Sequence, residues 1–315
     1  MNAKAGLSVS IMPGLKLTNP VIGASGTFGY GDDWDGLLDI QHLGAIICKG
    51  TTLKPRQGNP QPRIVEVTSG LLNSVGLQNI GVDALVKEKA PVWAGWKVPV
   101  LVNIAGDTVE EYGKVAKKLD DVKGISGIEV NISCPNVKQG GMQFGTDAVA
   151  AARVTRAVKK STSLPVMVKL SPNVTDIVEI ARAVEDAGAD AISLINTLSG
   201  MAIDVRSRRP KLGNIVGGLS GPAIKPVALW LVYRVAGAVR VPVVGGGGIM
   251  KAEDALEFIM AGATAVQVGT AGLVDPQSIE EIITSLGSYL AAQGIRHISD
   301  LRGVARQGPS PALNP

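Results

Sequence analysis

Eight short aliphatic runs alternate with amphipathic stretches along 315 residues, without any break in composition, and predict a (β/α)8 barrel in one domain over residues 1–315. Composition agrees: 39 glycines, 45% hydrophobic and only 3% aromatic residues suit a parallel sheet whose strands are buried on both faces. With 18% charged residues the chain is too apolar to stay disordered. A doubly wound open sheet is the alternative that the same alternation allows.

The strands expected from aliphatic runs are Val21–Ala24, Gly44–Lys49, Val98–Ile104, Gly127–Ile132, Val166–Leu170, Ala191–Ile195, Val241–Gly245 and Ala263–Gly269. Pro99, Pro165 and Pro242 stand at or just before strand starts, where a missing N–H costs least. Between strands, Ile177, Ile180, Ala181 and Val184 form one apolar stripe within a helix over Val174–Ala187, and Tyr112, Val115, Ala116 and Leu119 repeat the spacing. Ser278 with Glu281 reads as a capping box opening the last helix. Residues 6–20 are expected to form a hairpin across the bottom of the barrel, and the Pro-rich end GPSPALNP a loose tail. The connections at about 50–80 and 197–221 are too long for plain loops, so this TIM barrel carries long βα loops over its C-terminal face.

Each strand gives way to polar or glycine-rich residues. Strand one ends in Ala24-Ser25-Gly26-Thr27, strand two in Lys49-Gly50-Thr51-Thr52, strand three in Asn103, and strand four in Asn131-Ile132-Ser133-Cys134-Pro135-Asn136. Strand five ends in Lys169, strand six in Asn196-Thr197, strand seven in the glycine run 245–248, and strand eight in Gly269-Thr270. Unpaired amides and ammonium groups are costly to bury, so their recurrence at one rim marks a polar site where barrel enzymes place their chemistry. Gly217-Gly218-Leu219-Ser220-Gly221, Gly245–Gly248 and Gly269-Thr270 are turns that bring backbone N–H groups close to an anion, and they predict a phosphate beside strands seven and eight. Lys49 and Lys169 have no Asp or Glu on neighbouring strand ends, which favours an anionic ligand over buried ion pairs.

Cys48, inside strand two, reads as a small buried hydrophobe, whereas Cys134 stands on the polar rim. His42 and His297 fall away from the strand ends, so no Ser–His or Cys–His nucleophile is supported and Cys134 is the candidate base or nucleophile. Two cysteines without CxxC spacing cannot hold a zinc ion or an iron–sulfur cluster, and no metal site is expected. The net charge of +4 is scattered, which argues against nucleic acid. There is no apolar run of membrane-spanning length and no secretory leader pattern, and a reducing cytoplasm is the expected location.

The segments Asn73-Ser74-Val75-Gly76-Leu77-Gln78-Asn79, Asn131-Ile132-Ser133-Cys134-Pro135-Asn136 and Ile195-Asn196-Thr197 resemble the substrate and active-site motifs of class 1 dihydroorotate dehydrogenases. The resemblance extends over nearly the whole chain, and GNIVGGLSGPAIKPVALW from Gly213 is similar to the NAD-linked B subgroup. It implies an FMN enzyme of pyrimidine biosynthesis that oxidises (S)-dihydroorotate to orotate, with Cys134 as the base at C5 and hydride passing from C6 to the flavin. It assigns Lys49, Asn73, Ser74, Val75, Gly76, Leu77, Asn131, Asn196 and Thr197 to substrate. Ser25, Lys49, Gly50, Asn103, Asn131, Lys169, Ile195, Gly221, Gly247, Gly248, Gly269 and Thr270 are assigned to FMN, Lys169 at its pyrimidine end and the glycines at its phosphate. The subgroup further implies a second subunit with FAD and a [2Fe–2S] cluster that reduces NAD⁺, in a heterotetramer of two catalytic and two electron-transfer subunits. This chain lacks the cysteines for such a cluster. Alternatives are a fumarate-linked enzyme of the same class, a phosphosugar lyase or isomerase using Lys169 as a Schiff-base amine, and a non-catalytic flavin carrier.

Overall fold

Parallel strands β3 (Val21–Gly23), β4 (Ala45–Thr51), β7 (Val100–Ile104), β8 (Gly127–Asn131), β9 (Val166–Lys169), β10 (Ala191–Leu194), β15 (Val243–Gly246) and β16 (Ala265–Val268) close into a barrel in that order. The description rests on a computed structural model and covers residues 6–133 and 144–307. All eight expected strands are present, and the barrel replaces the open-sheet alternative. Every residue of β7, β9, β10 and β16 is buried, as the sequence pattern requires of strands covered on both faces. Pro99, Pro165 and Pro242 donate nothing, but their carbonyls accept from Ile46, Ile128 and Ile192 of the adjacent strands at 2.9, 2.9 and 3.0 Å.

At the N-terminus, β1 (Val9–Met12) and β2 (Leu15–Leu17) form the expected antiparallel hairpin. Met12 reaches to 3.3 Å from where a Cβ on Gly127 would lie, so the hairpin covers the end at which the strands begin. The helix over Val109–Leu119 buries Tyr112, Val115, Ala116 and Leu119, and Thr108 caps it by accepting from the Glu111 N–H at 3.2 Å. The helix over Ile177–Asp186 buries the predicted stripe. It begins later than expected because Asp176 turns its carboxylate onto the Val178 N–H at 3.0 Å. The predicted capping box is absent: the last helix, Ser278–Ala292, is preceded by Gln277, and the Ser278 hydroxyl donates to the Asp275 carbonyl at 2.7 Å.

The two long connections form one structure, which the sequence did not disclose. The first holds β5 (Ile64–Val67) and β6 (Gly70–Asn73). The second holds β11 (Leu198–Gly200), the small pair β12 (Ile203–Asp204) and β13 (Arg209–Pro210), and β14 (Gly217–Ser220). They join as an antiparallel sheet in the order β11-β14-β6-β5, with Asn73 opposite Gly218 and Leu71 opposite Ser220. Because β4 and β10 stand diametrically opposite in the barrel ring, this sheet links excursions from both sides of the barrel's C-terminal end.

Candidate active site

The upper barrel interior holds a ring of polar side chains around one carboxylate. Glu129 of β8 is fully buried and accepts from Asn103 Nδ2 at 2.7 Å, Ser193 Oγ at 2.8 Å and Gln267 Nε2 at 2.6 Å. Lys169 Nζ lies 3.9 Å from the same carboxylate and donates to Gln267 Oε1 at 3.0 Å and Ser25 Oγ at 3.3 Å. The expectation that Lys169 has no acidic partner is therefore corrected. Its partner is within a strand rather than at a strand end. A Glu in the middle of the aliphatic run Gly127–Ile132 was the available signal, since a carboxylate is buried there only if donors surround it. Ser193 and Gln267, also absent from the expected set, are two of those donors.

Asn103 is nearly as deep. Its Nδ2 also lies 3.4 Å from Ser25 Oγ, while Oδ1 is buried without a partner among the described residues and points toward Gly50. Buried carbonyl oxygens are rarely left unsatisfied, so this atom can accept a further hydrogen bond.

Lys49 differs from Lys169. Partly exposed, its ammonium stands 5.8 Å from the centre of the Tyr30 ring, and no carboxylate pairs with it among the described residues. The Tyr30 hydroxyl accepts from the Ile80 N–H at 3.2 Å, and burial raises its pKa above the usual tyrosine value. Opposite Gly50 lies Leu77, in a segment running from Asn73 through Ser74, Val75 and Gly76. Asn73 Nδ2 donates to the Gly218 carbonyl at 3.2 Å, and Ser74 Oγ accepts from Asn59 Nδ2 at 2.9 Å. Arg63 braces the residues beside this segment: Nε donates to the Asn59 carbonyl, Nη1 to Gln78 Oε1 at 2.6 Å and Nη2 to the Gln57 carbonyl at 2.8 Å. On the far side Asn196 Oδ1 accepts from the Thr197 N–H at 2.8 Å, and Asn173 Nδ2 donates to the Thr197 carbonyl at 3.0 Å. Asn131 Oδ1 accepts from the Ser133 N–H at 3.1 Å, and Tyr112 OH donates to the Asn131 carbonyl at 2.7 Å. Asn59 and Asn173 escape a sequence reading because they act on backbone that only the fold brings near, and Arg63 because it acts through Asn59.

Gly221 and Gly248 lie against each other. Gly221 and Gly248 have φ of 96° and 80°, and a Cβ on Gly248 would lie 2.8 Å from the Lys225 nitrogen and 2.9 Å from the Gly221 carbonyl oxygen. Thr270 Oγ1 donates to Ser220 Oγ at 3.0 Å beside Gly221. Gly247 faces Ile195 and Ala228, and Gly269 sits beside Ala24 and Thr27. The Lys225 ammonium is held by Asp254 at 2.7 Å and Glu257 at 3.0 Å, which raises its pKa.

Residues 7–290 match the family model for dihydroorotate dehydrogenase. The chain belongs to the dihydroorotate dehydrogenase family. Among curated relatives, "Dihydroorotate dehydrogenase B (NAD(+)), catalytic subunit" of Desulforamulus reducens is 60% identical over 92% of this chain and 96% of its own. The proteins of the same name from a Geobacter species and from Geotalea daltonii are each 58% identical, over 94% and 96% of this chain and 97% and 99% of their own.

Of the residues that the family resemblance assigns, Ser25, Lys169 and Asn103 form one hydrogen-bonded group. Gly50 and Leu77 meet, Asn73 and Thr197 both lie against Gly218, which is outside that set, and Gly221, Gly248 and Thr270 come together. Cys134 lies outside the described residues. Cys48 is wholly buried, and burial pushes its thiol up to about 12, far from reactive. Among the described residues no group of three or more His, Cys, Asp and Glu could hold a metal ion, and no helix is long and apolar enough to cross a membrane.

Proposed function

We propose that this chain, folded as one domain over residues 1–315, is the FMN-binding catalytic subunit of an NAD⁺-linked dihydroorotate dehydrogenase. It oxidises (S)-dihydroorotate to orotate in pyrimidine biosynthesis. The match to subunits of that name across more than nine-tenths of both chains carries this reading. The residues suit FMN on two counts. The buried Asn103 Oδ1, without a partner among the described residues, can take a donor, and the loops at Gly221 and Gly248 approach so closely that any side chain there would strike backbone. When bound, the flavin supplies the hydride acceptor for C6 of the substrate.

The protein's own contribution is binding, orientation and one proton transfer. Lys169 and Ser25, with Gly50, Asn103, Asn131 and Ile195, would hold the ring system, and Gly221, Gly247, Gly248, Gly269 and Thr270 the phosphate. Lys49, free of a carboxylate partner among the described residues, suits an anionic substrate. With Asn73 to Leu77, Asn131, Asn196 and Thr197 it would fix the carboxylate and ring amides of orotate. Cys134, three residues beyond the end of β8, would remove the C5 proton. An ordinary thiol is only a few per cent ionised at pH 7, so the site must favour its anion or work with that fraction.

"Catalytic subunit" in the relatives' name implies a separate partner. We assign to that partner the FAD and the [2Fe–2S] cluster, in a heterotetramer of two subunits of each kind, in the cytoplasm. The purified protein should be yellow, with absorption at about 450 nm that dihydroorotate bleaches without air. A colourless protein that FMN does not reconstitute would overturn the reading. Cys134→Ser should slow flavin reduction about 10²–10⁴-fold while orotate still binds, and normal reduction in that variant would remove Cys134 from the role.

A further inference from the structure

Glu129 belongs to no assigned set, yet it is the charged centre of the barrel interior. Ser193, Gln267 and Asn103 each present a donor to it, and the Lys169 ammonium adds a fourth. This set of donors is what a buried carboxylate needs around it, with two consequences. First, its charge balances Lys169. Second, by taking Asn103 Nδ2 it turns Oδ1 the opposite way, toward Gly50, as an acceptor without a partner among the described residues.

We propose that Glu129 is a positioning residue that sets the electron affinity of the bound flavin, its carboxylate opposing the Lys169 ammonium and orienting Asn103. The inference rests on the FMN reading above. An ammonium beside the flavin stabilises the negative charge that reduction places on it. A carboxylate 3.9 Å behind that ammonium cancels part of the effect. Glu129 thus keeps the flavin from becoming so good an acceptor that it resists passing electrons onward, while the Asn103 carbonyl stays turned toward the ligand.

The test is an anaerobic redox equilibrium of the FMN-loaded protein against a dye of known potential. In Glu129→Gln the ratio of reduced to oxidised flavin at a fixed ambient potential should rise at least tenfold, which for a two-electron couple is about 30 mV. Lys169→Met should lower the ratio. Adding Glu129→Gln to Lys169→Met should raise it tenfold again, toward the parent value. This double variant leaves no buried charge unpaired, so it reads the effect even if Glu129→Gln alone is unstable. Melting of the FMN-free proteins separates a merely structural role, which would lower the melting temperature without moving the ratio. A ratio within threefold of the parent in both backgrounds overturns the proposal. A parent protein that holds no flavin overturns the reading beneath it instead.

Discussion

The floor and the wall of this site are built on different terms. The floor is carried by strands: Asn103, Glu129, Lys169, Ser193 and Gln267 are buried, and bond one another across five strands of the barrel. The wall is carried by excursions of the chain. Asn73 to Leu77 and Thr197 lie on or beside an antiparallel sheet and are held mainly by bonds to backbone, with Asn59 bonding Ser74 and the guanidinium of Arg63 bracing Asn59 from behind. A floor of mutually bonded, desolvated charges resists rearrangement and suits a rigid cofactor. A partly exposed wall can adjust to a substrate that must enter and leave.

The comparison breaks if damage to the floor proves mild. Lys169→Met leaves Glu129 buried without its counter-charge and should cost about 3–5 kcal/mol of folding stability, measured by denaturant unfolding of the FMN-free protein. A loss under about 1 kcal/mol would show that neutral donors alone satisfy the carboxylate. Arg63→Ala should do the reverse, raising KM for dihydroorotate about tenfold with kcat within about twofold and folding stability nearly unchanged. A fall in kcat instead would mean that the wall acts in the transition state.

The smallest effect at neutral pH concerns Cys48, in the floor's apolar surroundings. Burial raises its folded-state pKa from 9.0 to about 12, so the unfolded chain loses the proton first. Stability should be insensitive to this thiol below pH 9. From there toward pH 12 it should fall by up to about 1.4 kcal/mol per pH unit, and the drop should vanish in Cys48→Ala. Native protein at pH 8 should leave Cys48 unmodified by a thiol reagent until it is unfolded. Modification at the rate of an exposed thiol would mean that the strand opens.

The barrel was legible because parallel strands buried on both faces are written as aliphatic runs, and all eight were found where those runs lie. The rim was legible because strand ends carry polar residues in a regular place. The partner of Lys169 is not legible at the strand ends, because Glu129 lies two residues inside β8 and faces inward. The sheet over the barrel is hidden for another reason. Its strands are short and pair over great distances, so no local pattern announces them. The false capping box at Ser278 shows the limit of a motif: the hydroxyl had a nearer acceptor in the Asp275 carbonyl.

The pairing of Asn73 with Gly218 spans 145 residues and joins excursions from opposite sides of the ring. During synthesis Asn73 leaves the ribosome long before the strand that holds it, and contacts of such separation form late. The chain can therefore collapse most of its barrel before it owns a substrate wall. Completion of that wall reports that the two halves of the molecule have met.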